Sequence, residues 1–211
     1  ETAGVTMREI DGIGVGVGPG SYTGVRIGAS VAKTLAWTLN VPVIGVSSLE
    51  AMALGGAEAA ASDSPKSDSA SHESPVWVVP LMNARRGHVY TGLYAIRDGI
   101  SRCLLPDGNR PLTEWLDKLS EEIAVRHPDG QDGGAICFVG ETGPFTDVLH
   151  APRDWRGWRI TAAETVIRAY DAGRLAARRW LNGEQDEPHT LAPNYTQLAE
   201  AEAKFLARRQ R

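Results

Sequence analysis

The sequence predicts an α/β protein made of two copies of one βββαβαβα unit, the first copy truncated at its N-terminus. In residues 76–195, three strand patterns in a row are followed by alternating helices and strands, which predicts an antiparallel meander continued by parallel βα units. Residues 1–54 show the order helix end, strand, helix, strand, helix, which matches the tail of that unit. Because the chain begins at Glu1, we expect a fragment without the opening meander and first helix of the first copy.

Composition narrows the class of protein. The chain has 211 residues, 42% of them apolar, and can bury a core in one large or two small domains. A net charge of -4 argues against a stand-alone nucleic-acid binder, and the sequence shows neither a signal peptide nor a run of about 18 apolar residues. Cys103 and Cys137 lie far apart without a CxxC motif, which predicts two reduced thiols in a cytoplasmic protein.

The first strand and helix meet at a glycine-rich turn. Alternating Val/Ile and Gly over residues 10–18 predict a buried strand, and the chain then enters a helix over residues 21–39 with Ser21 as its N-cap. Free backbone amides and the positive helix end make this turn a candidate anion site, although the pattern alone leaves anion binding open. The residues of the turn are Gly18, Pro19, Gly20, Ser21 and Thr23.

Small residues recur every four positions along this helix. Gly24, Gly28, Ala32 and Ala36 therefore share one face, which another backbone can approach closely. Two interpretations are open: the small face packs on the protein's own sheet, or it contacts another subunit. The second gives a candidate partner or dimer interface at Gly24, Arg26, Gly28, Ala32 and Ala36.

The other elements follow from periodicity and helix breakers. A short strand covers residues 43–46, a helix runs from Ser48 to about Leu54, and the polar residues 55–75 predict a flexible linker. In the second unit, strands are predicted at residues 76–82, 88–96, 101–105, 135–139 and 158–161, and helices at 113–123, 144–149 and 163–181. A charged amphipathic helix is predicted over residues 196–211.

Familiar enzyme motifs do not fit the glycine turn. A Walker loop needs Gly-Lys-Ser/Thr, but Tyr22 follows Ser21. A dinucleotide fingerprint that starts at Gly16 places Ser21 at the third glycine. A nucleophile elbow at Ser21 needs glycine where Pro19 stands. Ser21 is therefore interpreted as a helix cap rather than a nucleophile.

Four stretches resemble the bacterial TsaB (YeaZ) family. They are Gly-Pro-Gly-Ser-Tyr-Thr-Gly-Val-Arg-Ile-Gly at residues 18–28, Val-Ser-Ser-Leu-Glu at 46–50, Asn-Ala-Arg-Arg-Gly-His-Val-Tyr at 83–90 and Pro-Asn-Tyr at 193–195. The resemblance covers nearly the whole chain except residues 55–75. It implies the duplicated actin-like (ribonuclease H-like) fold of the Hsp70-like ATPase superfamily, with an N-terminal lobe in residues 1–54 and a C-terminal lobe in 76–195.

The resemblance also implies a function. TsaB-like proteins help to make N6-threonylcarbamoyladenosine (t6A) at adenosine 37 of tRNAs that read ANN codons. The transfer belongs to a paralogue, TsaD, with the ATPase TsaE as third component, and the TsaB-like protein is a non-catalytic scaffold. We therefore expect a homodimer in isolation, tRNA contact only through the complex, no membrane contact, and no cofactor except ATP or ADP at a complex interface.

The spacing of the histidines and the identity of residue 83 both argue against catalysis by this chain. The resemblance implies that TsaD-type sites use two histidines one helical turn apart. It also implies that relatives commonly have an aspartate where this chain has Asn83. No two histidines of this chain have that spacing; they are His72, His88, His127, His150 and His189. Neither catalytic residues nor metal ligands are expected.

Arginines are candidate contact residues. Asn83, Arg85 and Arg86 are placed in a hairpin turn at the cleft between the lobes, where the arginines either contact a phosphate or partner carboxylate or are simply solvated. Arginines of the last long helix and tail either contact tRNA in the complex or form solvated faces; they are Arg174, Arg178, Arg179, Arg208, Arg209 and Arg211.

Three functions compete. The preferred one is the scaffold partner of a tRNA-modifying transferase. A free-standing actin-like nucleotide-binding ATPase is the alternative, because a glycine turn precedes a helix. A glycoprotease-type peptidase, an older label of the family, comes last because no nucleophile, base and orienting group stand out.

Overall fold

The computed structural model describes residues 4–63, 76–127 and 134–196. The first unit contains β1 (Ile13–Gly16), α1 (Tyr22–Leu39), β2 (Val43–Val46) and α2 (Ser48–Asp63). The second contains β3 (Val76–Arg85), β4 (His88–Arg97), β5 (Ile100–Pro111), α3 (Leu112–Arg126), β6 (Ala135–Gly140), α4 (Thr146–Leu149), β7 (Arg159–Glu164) and α5 (Ala169–Leu181).

The second unit confirms the predicted order of a meander followed by parallel βα units. Its sheet has the order β5-β4-β3-β6-β7, in which β3, β4 and β5 are antiparallel neighbours and β6 and β7 run parallel to β3. Apolar residues of α2 and α5 cover one face of this sheet, and those of α3 cover the other. The two layers of helices bury both faces, as an α/β sheet requires.

The sheet of the first unit consists of two parallel strands. β1 pairs with β2 from Ile13↔Val43 to Gly16↔Val46. Ile13 and Val15 pack against Ala32 and Ala36 of α1 on one side of the pair. On the other side, a Cβ added to Gly14 would lie 2.6 Å from the Cβ of Ala176 in α5. The last helix of the second unit therefore also covers the first.

The helix predicted over residues 163–181 starts too early. Residues Arg159–Glu164 form β7, which pairs with β6 up to Gly140↔Glu164, and α5 begins only at Ala169. Strand β5 is also longer than predicted and reaches Pro111 through register shifts against β4. Both errors have one cause: strand pairing is a long-range interaction that overrides the local pattern.

The linker predicted over residues 55–75 also needs a correction, because α2 continues to Asp63. Gly55 and Gly56 are buried in this helix. An added Cβ would collide with the Asp171 carboxylate at Gly55 and lie 2.6 Å from Val139 at Gly56, so α2 packs here at backbone distance. Residues 64–75 and the tail helix beyond Thr196 lie outside the described residues.

Candidate functional site

The glycine turn is anchored at its base and exposed at its helical end. Ser21 caps α1 as predicted, because its hydroxyl accepts the amide of Gly24 at 3.4 Å. Gly18 has a φ of 101°, which favours glycine, and its amide donates to the Ser48 hydroxyl at 3.2 Å. Gly18 and Pro19 are buried, whereas Ser21 and Thr23 are exposed. The first turn of α1 is therefore open to a ligand or partner.

A segment after α5, residues 184–196, lies across the first unit; we call it the strap. The Asp186 carboxylate accepts the amide of Gly45 at 2.7 Å, and Lys33 donates to the carbonyl of Leu191 at 3.1 Å. At its end, the amide of Asn194 donates to the Val17 carbonyl at 2.6 Å. The strap thereby covers the free side of β2 and ends beside the glycine turn. Its position could not be read from the short Pro-Asn-Tyr motif.

The small residues of α1 do not form the predicted external groove. Ala32 and Ala36 are buried against β1, β2 and Leu191 of the strap, and a Cβ on Gly28 would lie 3.9 Å from Val15. The small face therefore packs on the protein's own sheet from Gly28 to Ala36, whereas Gly24 at its start is exposed. Placing Ala32 and Ala36 in a partner interface was wrong, because β1 fills the space over their methyl groups.

The opposite side of α1 is exposed and uncharged. Helical spacing places Gly24, Ile27, Val31, Thr34 and Thr38 on this side, which we call the outer face of α1. Ile27 is 59% and Val31 52% exposed. The apolar spacing of Ile27 and Val31 was visible in the sequence, but the sequence does not say which side of the helix faces the sheet.

The hydroxyl groups on the outer face are already satisfied. Thr34 donates to the Ser30 carbonyl at 2.9 Å and Thr38 to the Thr34 carbonyl at 2.8 Å. Nearby, the Arg26 guanidinium donates to the Tyr22 hydroxyl at 2.6 Å. A partner can therefore cover the outer face without leaving these hydroxyl donors unpaired.

The β3–β4 hairpin exposes its two arginines. Arg85 and Arg86 have φ values of 70° and 53°, and the Arg85 amide donates to the Asn83 side chain at 2.8 Å. Asn83 in turn donates its amide to the Glu141 carboxylate at 3.2 Å. Within the described part of the chain, neither arginine forms an ion pair. The hairpin tip therefore offers two free cations beside one carboxylate.

A hydrogen-bond network joins the two units at the start of α2. Ser47 donates to Asp107 at 2.5 Å and accepts the amides of Leu49 and Glu50 at 3.1 Å each. Tyr94 also donates to Asp107. Burial, with the Asp107 charge, raises the pKa of Tyr94, so its hydroxyl stays protonated as a donor. This network could not be predicted from the sequence, because Ser47 and Asp107 are far apart in the chain.

The arginines of α5 differ in whether they form ion pairs. Arg174 pairs with Glu58, and Arg179 pairs with Glu184 at 2.9 Å, whereas Arg178 is exposed. Two of the three candidate tRNA contacts therefore hold α5 to α2 and to the strap. The arginines proposed near the C-terminus, Arg208, Arg209 and Arg211, lie outside the described residues.

The histidines in the described ranges do not come together in one site. His88 contacts the Asn109 side chain at 2.8 Å, His150 the Thr146 carbonyl at 2.8 Å, and His127 lies among Trp77 and Trp158. Over residues 4–63, 76–127 and 134–196, no three His, Cys, Asp or Glu side chains are grouped as metal ligands; His72 falls outside these ranges. None of the helices in these ranges has both the length and the hydropathy of a membrane crossing.

Comparison with known sequences gives consistent matches. A protein-family model described as TsaD, tRNA N6-adenosine threonylcarbamoyltransferase, matches residues 1–151. The Bacillus subtilis tRNA threonylcarbamoyladenosine biosynthesis protein TsaB is 35% identical over 200 residues, which are 94% of this chain and 75% of that protein. A Methylorubrum extorquens tRNA N6-adenosine threonylcarbamoyltransferase is 52% identical over 54 residues, only 26% of this chain and 16% of its own.

Solved structures support the predicted fold class. YeaZ from Pseudomonas aeruginosa superposes with a TM-score of 0.67 at 26% identity, covering 92% of this chain and 77% of its own. A second protein from Pseudomonas aeruginosa is described as uncharacterized with similarity to peptidase YEAZ. It superposes with a TM-score of 0.67 at 28% identity, covering 93% of this chain and 78% of its own. The mixed α/β architecture is consistent with the actin-like (ribonuclease H-like) fold expected from the sequence.

Proposed function

This chain belongs to the TsaB (YeaZ) family of tRNA threonylcarbamoyladenosine biosynthesis proteins, and we propose that within that pathway it is a non-catalytic subunit that docks on a TsaD-type transferase through α1. The observation that carries the proposal is the outer face of α1. Its exposed apolar side chains and satisfied hydroxyls carry no charge, and the centres of protein interfaces are depleted of charged residues.

The other partners act in the same complex. The TsaD-type subunit transfers the threonylcarbamoyl group to adenosine 37 of tRNAs that read ANN codons, and a TsaE-type ATPase acts as third component. In the absence of the transferase, the outer face of α1 pairs with a second copy of this chain. tRNA meets this subunit only through the complex, in the cytoplasm.

The glycine turn and the hairpin belong to the same proposal. Gly18, Gly20, Ser21 and Thr23 stand at the positive end of α1, next to Gly24 at the start of its outer face. A partner carboxylate or the phosphate of an interfacial nucleotide meets the first turn there. We propose no cofactor of this chain's own, and the free cations at Arg85 and Arg86 serve contacts across the interlobe cleft.

Co-elution tests the scaffold function. The chain and its cognate TsaD-type protein, mixed at equal concentration, are expected to leave a size-exclusion column as one complex that is larger than either protein. Separate elution of the two proteins, each shown to be folded by circular dichroism, would contradict the proposal.

The second candidate is a free-standing ATPase, which the glycine turn before α1 favours. If this chain binds ATP, millimolar ATP with Mg²⁺ stabilises it by about 2.7 kcal/mol at a hundred times the Kd and raises its melting temperature. We expect no such rise. A peptidase has the least support, because the Ser21 hydroxyl caps α1 and no histidine among the described residues contacts it.

A further inference from the structure

Two tyrosines and an arginine form an exposed cluster at the N-terminal end of α1. The guanidinium carbon of Arg26 lies 4.9 Å from the centroid of the Tyr22 ring, and its Nη1 group donates to the Tyr22 hydroxyl at 2.6 Å. Tyr195, near the end of the strap, places its ring centroid 5.6 Å from that of Tyr22 at an interplanar angle of 34°. We call Tyr22, Arg26 and Tyr195 the Tyr–Arg cluster.

The Tyr–Arg cluster is held in place but open to solvent. Tyr22 is 56% and Tyr195 50% exposed, and Arg26 is exposed as well. The bond from the Asn194 amide to the Val17 carbonyl fixes the backbone of the strap beside the cluster. Tyrosine and arginine are enriched among the residues that contribute most to protein interfaces, and side chains that are ordered before binding lose less entropy on binding. The cluster therefore has the composition of an interface anchor.

The positive charge of the Tyr–Arg cluster has no carboxylate partner within the described part of the chain. Arg26 forms no ion pair there, and its bond to Tyr22 uses one of the five N–H groups of a guanidinium. The positive end of the α1 dipole lies at the same end of the helix. The group of a protein partner that fits the cluster is therefore a carboxylate, which a guanidinium binds through two parallel hydrogen bonds.

The Tyr–Arg cluster adjoins the outer face of α1. Arg26 directly precedes Ile27, so the cluster flanks the outer face where that face begins at Gly24. A partner on the outer face therefore reaches the cluster as well. Helix α1 carries no acidic residue from Tyr22 to Leu39. When two copies of this chain pair through α1, Arg26 consequently finds no carboxylate on the other α1.

We propose that the Tyr–Arg cluster makes α1 select the TsaD-type transferase over a second copy of this chain, by binding a carboxylate of the transferase. This inference rests on the proposed function, in which the outer face supplies the apolar contact to either occupant. Pairing with the transferase neutralises Arg26, whereas self-pairing leaves its charge without a partner at the edge of the interface. Specificity is a difference between two affinities, and an unpaired charge lowers one of them.

Arg26→Gln tests this inference through two dissociation constants, both measured on the whole chain. Isothermal titration with the cognate TsaD-type protein should show binding about tenfold weaker than that of the wild type, because a charge-assisted contact is lost. Analytical ultracentrifugation of the chain alone should show self-association as strong as that of the wild type or stronger. Arg26 is exposed, so the variant and the wild type should have the same melting temperature.

The matched control is Arg178→Gln, which neutralises an exposed arginine on α5, outside the Tyr–Arg cluster. This variant should bind the transferase like the wild type. The inference is overturned if Arg26→Gln binds the transferase as tightly as the wild type, if it weakens self-association as much as transferase binding, or if Arg178→Gln has the same effect. If the wild type itself does not bind the transferase, the scaffold function is contradicted and this inference falls with it.

Discussion

At Gly14, the backbone of β1 lies directly against α5. The space that a side chain would need is occupied by the Cβ of Ala176, which is 2.6 Å from the position of an added Cβ. Glycine at this residue lets a helix of the second unit pack at backbone distance on a strand of the first. The alternation of Gly with Val or Ile in β1 is thus explained by the two neighbours of the strand, which are α1 on the Ile13 and Val15 side and α5 on the Gly14 side.

We expect Gly14→Ala to lower the free energy of unfolding by about 1–3 kcal/mol, because the added methyl group overpacks the contact with α5. Thermal denaturation should show this as a lower midpoint, by about 2–4 °C for each kcal/mol in a chain of this size.

Gly173→Ala is the matched control. Gly173 lies on α5, the helix that Gly14 contacts, and a Cβ added to Gly173 meets nothing within 4 Å. Since alanine is favoured over glycine in a helix interior, this variant should be more stable by up to about 1 kcal/mol. Equal or higher stability of Gly14→Ala than of the wild type would refute the close approach.

Among the elements, α1 and α5 show what local sequence can predict. Ser21 as the cap of α1 was predictable, because capping depends on residues three positions apart. The start of α5 was not, because Arg159–Glu164 becomes a strand only by pairing with β6. The orientation of α1 was also open, since both its small side and its Ile27 and Val31 side can be buried. Packing on β1 selects the small side.

The N-cap of α2, Ser47, gives a testable prediction about the stability of that helix. Ser47→Ala removes the acceptor of two α2 amides and the donor to Asp107. We expect a loss of about 1–2 kcal/mol in the free energy of unfolding, measured by urea denaturation. Ser30→Ala, which truncates an exposed serine within α1, should be neutral or slightly stabilising. Equal stabilities of the two variants would contradict the role of the network.

At the scale of the whole molecule, α2 packs on the second sheet, and three further connections hold the two units together. They are the packing of α5 on β1, the Ser47–Asp107–Tyr94 network and the strap. All three join residues that are distant in sequence, so the motifs predicted the lobes but not their attachment. Together they hold α1 with its small side against β1 and its outer face toward solvent. These contacts therefore hold the proposed docking surface, the outer face of α1, in a fixed orientation.

The central claim is that the outer face of α1 is the docking surface, and Val31→Glu tests it most directly. Val31 is 52% exposed, so glutamate should leave the isolated chain folded, whereas burying its charge in an apolar interface costs several kcal/mol. The control is Val125→Glu on α3, where the side chain is 77% exposed. On size-exclusion chromatography with the TsaD-type partner, wild type and Val125→Glu should co-elute with it and Val31→Glu should not. Co-elution of Val31→Glu at the wild-type level would contradict the account.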